Sequence, residues 1–260
     1  MISLKKILCL LLALGIFICL ALAKPTAPAV EQAVTASSVP VFEIAEPRLN
    51  APDRQPSADA SPPSEHHYQV EDAAAISQLP ELPNGCEAVA ATMLLNWAGL
   101  PVTKEEVADA LPRGEMPTEN EDGAFVGGNP EDVFVGNPYD AGYGIYHKPV
   151  FFTLNSLLPG RLTDITGTSF ENLLSVIAAG KPAMIWATEH MDTPYLDLEW
   201  QDDEDRLVEW YQPEHALLLT GWDDDYAYMN DPMTGQQEAY ALSDFKHVWE
   251  LMGSQAITVN

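Results

Sequence analysis

Cys86 is the residue of this chain best suited to nucleophilic chemistry, and His215, Asp231 and Gln78 are the residues that can serve it. A thiol nucleophile needs a base, a group that orients the base, and donors for an oxyanion. Cys86 follows Gly85 and opens the run CEAVAATMLLNWAG, which reads as a helix. Free N–H groups and the dipole at a helix start are expected to favour thiolate over thiol. The plainer alternative is a small residue packed at a helix start. His215 begins the apolar run HALLLTG, about 130 residues beyond the cysteine, where a strand would fix it at a sheet edge. Asp231 ends the next predicted strand, so a hairpin would return its carboxylate to the imidazole. The alternative there is an ordinary Asp-Pro turn before Pro232. Gln78, shortly before Cys86, can offer its amide N–H beside the Cys86 backbone N–H.

On residue type alone, other histidines compete with His215. His190 ends another predicted strand, His147 falls in a glycine-rich loop, His247 in a terminal helix, and His66 and His67 near a Pro-, Ala- and Ser-rich tether.

The elements that must position these groups are partly readable. Val89, Met93 and Trp97 recur every four residues on one helix face, and Gly99 suits a left-handed stop. Thr103-Lys104-Glu105-Glu106 is a capping-box pattern for a helix ending near Leu111, before Pro112. Residues 114–149 read as loop, with Gly127, Gly128, Gly142, Tyr143 and Gly144 as candidates for a cleft wall. Ser169 can cap a helix over 170–179 that Gly180 closes. Strands follow at 182–188, 215–222 and 226–230, with a turn at Asp223-Asp224-Asp225. A helix capped by Ser243 and running to Met252, then a strand at 255–259, complete the chain. Helices first and antiparallel strands later make an α+β fold. The acidic stretch 190–212 carries no readable pattern.

Composition bounds the rest. Lys5 and Lys6, an apolar run from Ile7 to Leu20 and Ala21-Leu22-Ala23 read as a cleaved export signal over 1–23. A retained membrane anchor is the alternative. Residues 24–65, rich in Pro, Ala and Ser, read as a tether, and 66–260 as one domain. The signal would take Cys9 and Cys19 with it, leaving Cys86 alone and no intrachain disulfide. The chain carries 12 basic and 39 acidic residues, a net charge of −27. That charge argues against nucleic acid or anionic lipid as partners. The acid clusters near Glu119, Glu121 and Asp122 and at Asp202, Asp203, Glu204 and Asp205 lack a calcium-loop pattern.

The stretch ISQLPELPNGCEAVAATMLLNWAG is similar to the opening motif of the C-39-like peptidase family, papain-like relatives of the peptidases that process bacteriocin leaders. The resemblance continues in order through NPEDVFVGNPYDAGYGIYHKP, GKPAMIWAT and EHALLLTGWDDDYAYMNDPMTG, over about residues 66–260. It implies a papain-like fold with an N-terminal helical part on an antiparallel sheet. It also implies Cys86 as nucleophile, His215 as base, Asp231 as orienting acid and Gln78 in the oxyanion hole. The implied reaction is hydrolysis of a peptide or protein substrate through a thioester acyl-enzyme, with no metal or organic cofactor. No transporter domain accompanies the resemblance, so leader cleavage coupled to transport is not expected. A cleft that binds peptide or cell-wall material without cutting it, and acyl transfer to an amine, are the alternatives.

Overall fold

The computed structural model describes residues 66–260. The segments read as signal (1–23) and tether (24–65), with Cys9 and Cys19, lie outside the described residues. The chain enters as a short strand, β1 (His67–Gln69), and reaches helix α1 (Cys86–Trp97) through a proline-rich loop. Gly99, with φ +90°, follows the end of α1. α1 is not the one-faced helix that the four-residue spacing suggests. Every residue from Cys86 to Leu95 is buried, because the helix lies inside the fold with neighbours on all sides. Helix α2 (Lys104–Ala110) begins with the expected box: Thr103 Oγ1 accepts the Glu106 N–H at 3.2 Å, and the Glu106 carboxylate accepts the Thr103 N–H at 2.8 Å.

The region expected to be loop from 114 to 149 is more ordered. It holds β2 (Arg113–Gly114), β3 (Thr118–Glu119), β4 (Phe125–Val126), β5 (Phe134–Gly136) and β6 (Gly142–Gly144), and it ends inside helix α3 (His147–Leu157). Strands of two or three residues are too short to show alternation, which is why their glycines and prolines read as loop. β7 (Leu162–Asp164) leads to α4 (Phe170–Ala178), where Ser169 Oγ accepts the Asn172 N–H at 3.2 Å.

β8 (Ala183–Thr188) is followed by a single turn at Glu189–Met191 and then by a hairpin of β9 (Tyr195–Gln201) and β10 (Leu207–Gln212). That hairpin is the unreadable acidic stretch. Its Trp200, Val208 and Trp210 form a separate buried cluster with Val135 of β5. Asp202 at its turn is buried and accepts bonds from Asn129 Nδ2 (2.8 Å), the Arg206 N–H (2.9 Å) and Arg206 Nε (2.6 Å). Burial alone would raise its pKa, but these bonds prevail and hold it at about 2. Its carboxylate is thus committed to the turn.

β11 (Glu214–Asp223), β12 (Tyr226–Asp231) and β13 (Gln236–Ala241) follow as a meander, then α5 (Leu242–Leu251) and β14 (Ala256–Val259). α5 starts two residues earlier than its serine suggests. Ala241 is the cap, and the Ser243 hydroxyl bonds Asp244 within the helix. The main sheet runs β13-β12-β11-β8-β14-β7, with β1 also paired to β11, and all its pairings are antiparallel. Ala216 and Leu218 of β11 join the core beneath α1, while Leu217 and Leu219 face the core of α4 and α5. Burial on both faces explains the unbroken apolar run, each large side chain contributing about 1.5–3 kcal/mol. The architecture is α+β, with the N-terminal helical part against an antiparallel sheet. No helix among the described residues is long and apolar enough to cross a membrane.

Candidate active site

Helix, strands and loops from distant parts of the chain converge on a cavity of about 80 Å³ lined by Gln78, Cys86, Glu87, Tyr143, Glu189, Glu214 and His215, among others. Cys86 reaches it from the first position of α1. Gly85 must be glycine there, since a Cβ would lie 2.7 Å from the Cβ of Leu82. His215 reaches it from β11, where pairing of Glu214 with Thr188 and His215 with Ala187 on β8 fixes the strand start. Asp231 arrives at the end of β12, the strand that returns beside β11.

His215 Nε2 and Asp231 Oδ1 are 2.7 Å apart, both side chains almost fully buried. Asp231 is itself held: Oδ1 also accepts the Met233 N–H at 2.7 Å, and Oδ2 accepts the Tyr240 hydroxyl at 2.7 Å. Burial pulls its pKa upward, but the His215 bond and charge, Tyr240 and the Met233 N–H prevail and hold it below the ordinary carboxylate value. Burial and the Asp231 charge push the Tyr240 phenol far up. The thiol, imidazole, carboxylate and amide read from the sequence are therefore in one neighbourhood.

Gln78 is 2 % exposed, and its Nε2 donates to the Pro83 carbonyl at 2.9 Å. One amide N–H is thereby taken and the second remains. Its Oε1 is buried without a partner. The Gln78 N–H donates to the Pro232 carbonyl at 2.7 Å, which ties the loop before Cys86 to the turn after Asp231.

One expectation is reversed. The helix start was to draw Cys86 toward thiolate, yet its pKa is raised well above the ordinary thiol value. Burial is the chief cause, followed by the negative charges of Glu87 and Glu214; the Ala216 N–H counters them only in part. A dipole at one turn is a weak field beside desolvation and two carboxyls.

The competing histidines lie elsewhere. His147 opens α3 and its Nδ1 is 2.6 Å from Asp164 Oδ2. His190 is exposed in the turn after β8, and His247 is exposed on α5. His66 pairs with Asp224 at 2.9 Å, and His67 meets the Tyr228 ring edge-on. The proposed cleft wall divides. Gly142 and Tyr143 line the cavity with Cys86, whereas Gly127 and Gly128 line a separate one beside Asp203 and Glu204.

Glu87, Glu214 and Tyr240 were not foreseen. The first two had a legible signal, since each is an acidic residue directly beside a candidate catalytic residue and at the edge of an apolar run. Among the described residues, Cys86, Glu87 and Glu214 form the one grouping of His, Cys, Asp and Glu donors compact enough for a cation, all within 4.8 Å. Glu87 Oε1 accepts the Ile145 N–H at 2.8 Å and Oε2 the Cys86 thiol at 3.4 Å.

Residues 70–257 match the Peptidase_C39 like family. The uncharacterized protein YvpB of Bacillus subtilis (strain 168) is 31 % identical over 181 residues, 69 % of this chain and 70 % of its own length. The crystal structure of a C39-like peptidase from Bacillus anthracis is similar in fold, with a TM-score of 0.68 and 32 % identity over 75 % of this chain and 98 % of its own.

Proposed function

The chain belongs to the Peptidase_C39 like family, and from that premise we propose that it is an exported cysteine peptidase using Cys86, His215 and Asp231. The carrying observation is that Cys86, His215 and Gln78 line one cavity while Asp231 holds His215 from behind. Asp231 accepts the Nε2–H of His215, which leaves Nδ1 as the basic nitrogen for the thiol proton. The Cys86 sulfur attacks the scissile carbonyl, and the Cys86 N–H with the second amide N–H of Gln78 receives the oxyanion. His215 then protonates the leaving amine, and water, activated by the same ring, hydrolyses the thioester. Export rests on Lys5, Lys6 and the apolar run that follows.

A second reading is a cleft that binds peptide without cutting it. The observation favouring it is the elevated pKa of Cys86, which disfavours the nucleophilic form. Labelling with iodoacetamide separates the two. A peptidase predicts faster reaction than a free thiol and a large loss in His215→Ala, with cleavage of a diverse peptide library that Cys86→Ala abolishes. A Cys86 that reacts like a free thiol in both proteins would favour the binding module.

A further inference from the structure

Two buried carboxyls in the cleft take no part in the steps above. Glu87 follows Cys86 on α1, and Glu214 precedes His215 on β11. Helix start and strand start bring them together, with donor atoms of Cys86, Glu87 and Glu214 within 4.8 Å of one another. Glu87 is fully buried and touches the thiol directly, Oε2 lying 3.4 Å from Cys86 Sγ. Glu214 Oε1 is sealed from solvent with no partner. Gly144 leaves space for the meeting, because a Cβ there would collide with Glu87 Oε1 and lie 3.2 Å from Glu214 Oε2.

The charged and titratable groups facing this pair are Cys86 from α1, Tyr143 from β6, His215 from β11 and Glu189 from the turn after β8. Tyr146 ahead of α3 lies beyond them, with Glu131 and Tyr211 beside it. No lysine or arginine lines the cavity. Two carboxylates this close, with no lysine or arginine between them, resist ionising together.

We propose that Glu87, backed by a protonated Glu214, is a proton gate for Cys86. Protonated, Glu87 donates its O–H to the thiolate while the thiol proton resides on His215. Deprotonated, it accepts the S–H and keeps the thiol neutral. Burial supports this by pushing Glu87 up to about 7 and Glu214 well above the ordinary value. Glu87 touches the reacting sulfur and is a catalytic residue; Glu214 acts through it and is a positioning residue. The inference rests on the cysteine-peptidase reading. Its consequence is that Cys86 loses reactivity as pH rises through neutrality, the reverse of an ordinary thiol.

The test is the iodoacetamide rate of the full chain between about pH 5 and pH 9. The wild type should show a falling limb centred near 7, as Glu87 titrates. Glu87→Gln should abolish that limb and react about tenfold faster at the alkaline end. Glu214→Gln, an amide standing for a protonated acid, should leave the limb in place. A limb that persists in Glu87→Gln, or one absent from a wild type whose labelling still depends on His215, overturns the gate alone. Labelling that ignores His215 overturns the peptidase reading and the gate with it. Carbon-13 NMR titration of the wild-type glutamate carboxyls needs no variant. One carboxyl titrating near 7 and a second shifted well above the ordinary glutamate value are expected. Ordinary values for every glutamate overturn the proposal.

Discussion

His215 is oriented by one short bond to a carboxylate that is itself anchored twice, by Met233 and Tyr240, and the consequences are testable side chain by side chain. Asp231→Asn replaces an acceptor by an amide that can present N–H to Nε2 and favour the wrong tautomer. Labelling and cleavage should fall by about two orders of magnitude or more, with the folded state retained, read by iodoacetamide kinetics and circular dichroism. Tyr240→Phe removes only the bond to Asp231 Oδ2. It should cost about 1 kcal/mol in urea denaturation. The sign of its pH effect follows from linkage. The folded pKa of Asp231 is below the ordinary value, so its contribution is present above the unfolded value and is lost as pH falls through the folded one. Losing Tyr240 raises the folded value, so the acid-unfolding midpoint should move to higher pH.

At the scale of elements, the close approach of β6 to α1 and β11 is the demanding feature. Gly144 has φ +149°, and a Cβ there would meet Glu87 and lie 2.9 Å from the Trp210 ring. Gly144→Ala should therefore destabilise by about 2 kcal/mol or more, measured by urea denaturation, and perturb thiol labelling. Neighbouring Gly142→Ala would isolate the effect of the carboxyls, since its Cβ meets Phe134 and Asn137 instead. Where an element carried its own signal, the sequence was readable. The Thr103 box, the Ser169 cap and the apolar runs of β8 and β11 each name their boundaries locally. The tryptophans of the β9–β10 hairpin did not, because Trp200 and Trp210 pack on Tyr143, which comes from a distant segment. Cys86, His215 and Asp231 were legible as types on a helix start and a hairpin. The field around the thiol was not, since it depends on how far Glu214 lies from Glu87 in space.

For the whole molecule, the dominant property is charge. The net charge of −27 sets a negative field, and the cavity beside Cys86 is lined by Glu87, Glu189 and Glu214 with no lysine or arginine. Peptides with lysine or arginine near the scissile bond should be cleaved with a higher kcat/KM than acidic ones at low salt. The advantage should shrink as ionic strength rises and the field is screened within about 10 Å. A salt-independent preference would locate the selectivity in shape.

The sheet also sets an order of events during synthesis. β14, at Ala256–Val259, lies between β8 and β7 and pairs with both. Neither neighbour can complete its ladder until residue 259 has left the ribosome tunnel. Until then β8, which braces the start of β11 where His215 sits, keeps a bare edge at Ala183, Met184 and Ile185. The nucleophile and its base are translated long before the strand that closes their support. A nascent chain therefore carries the chemical groups of the site before it has the frame that assembles them.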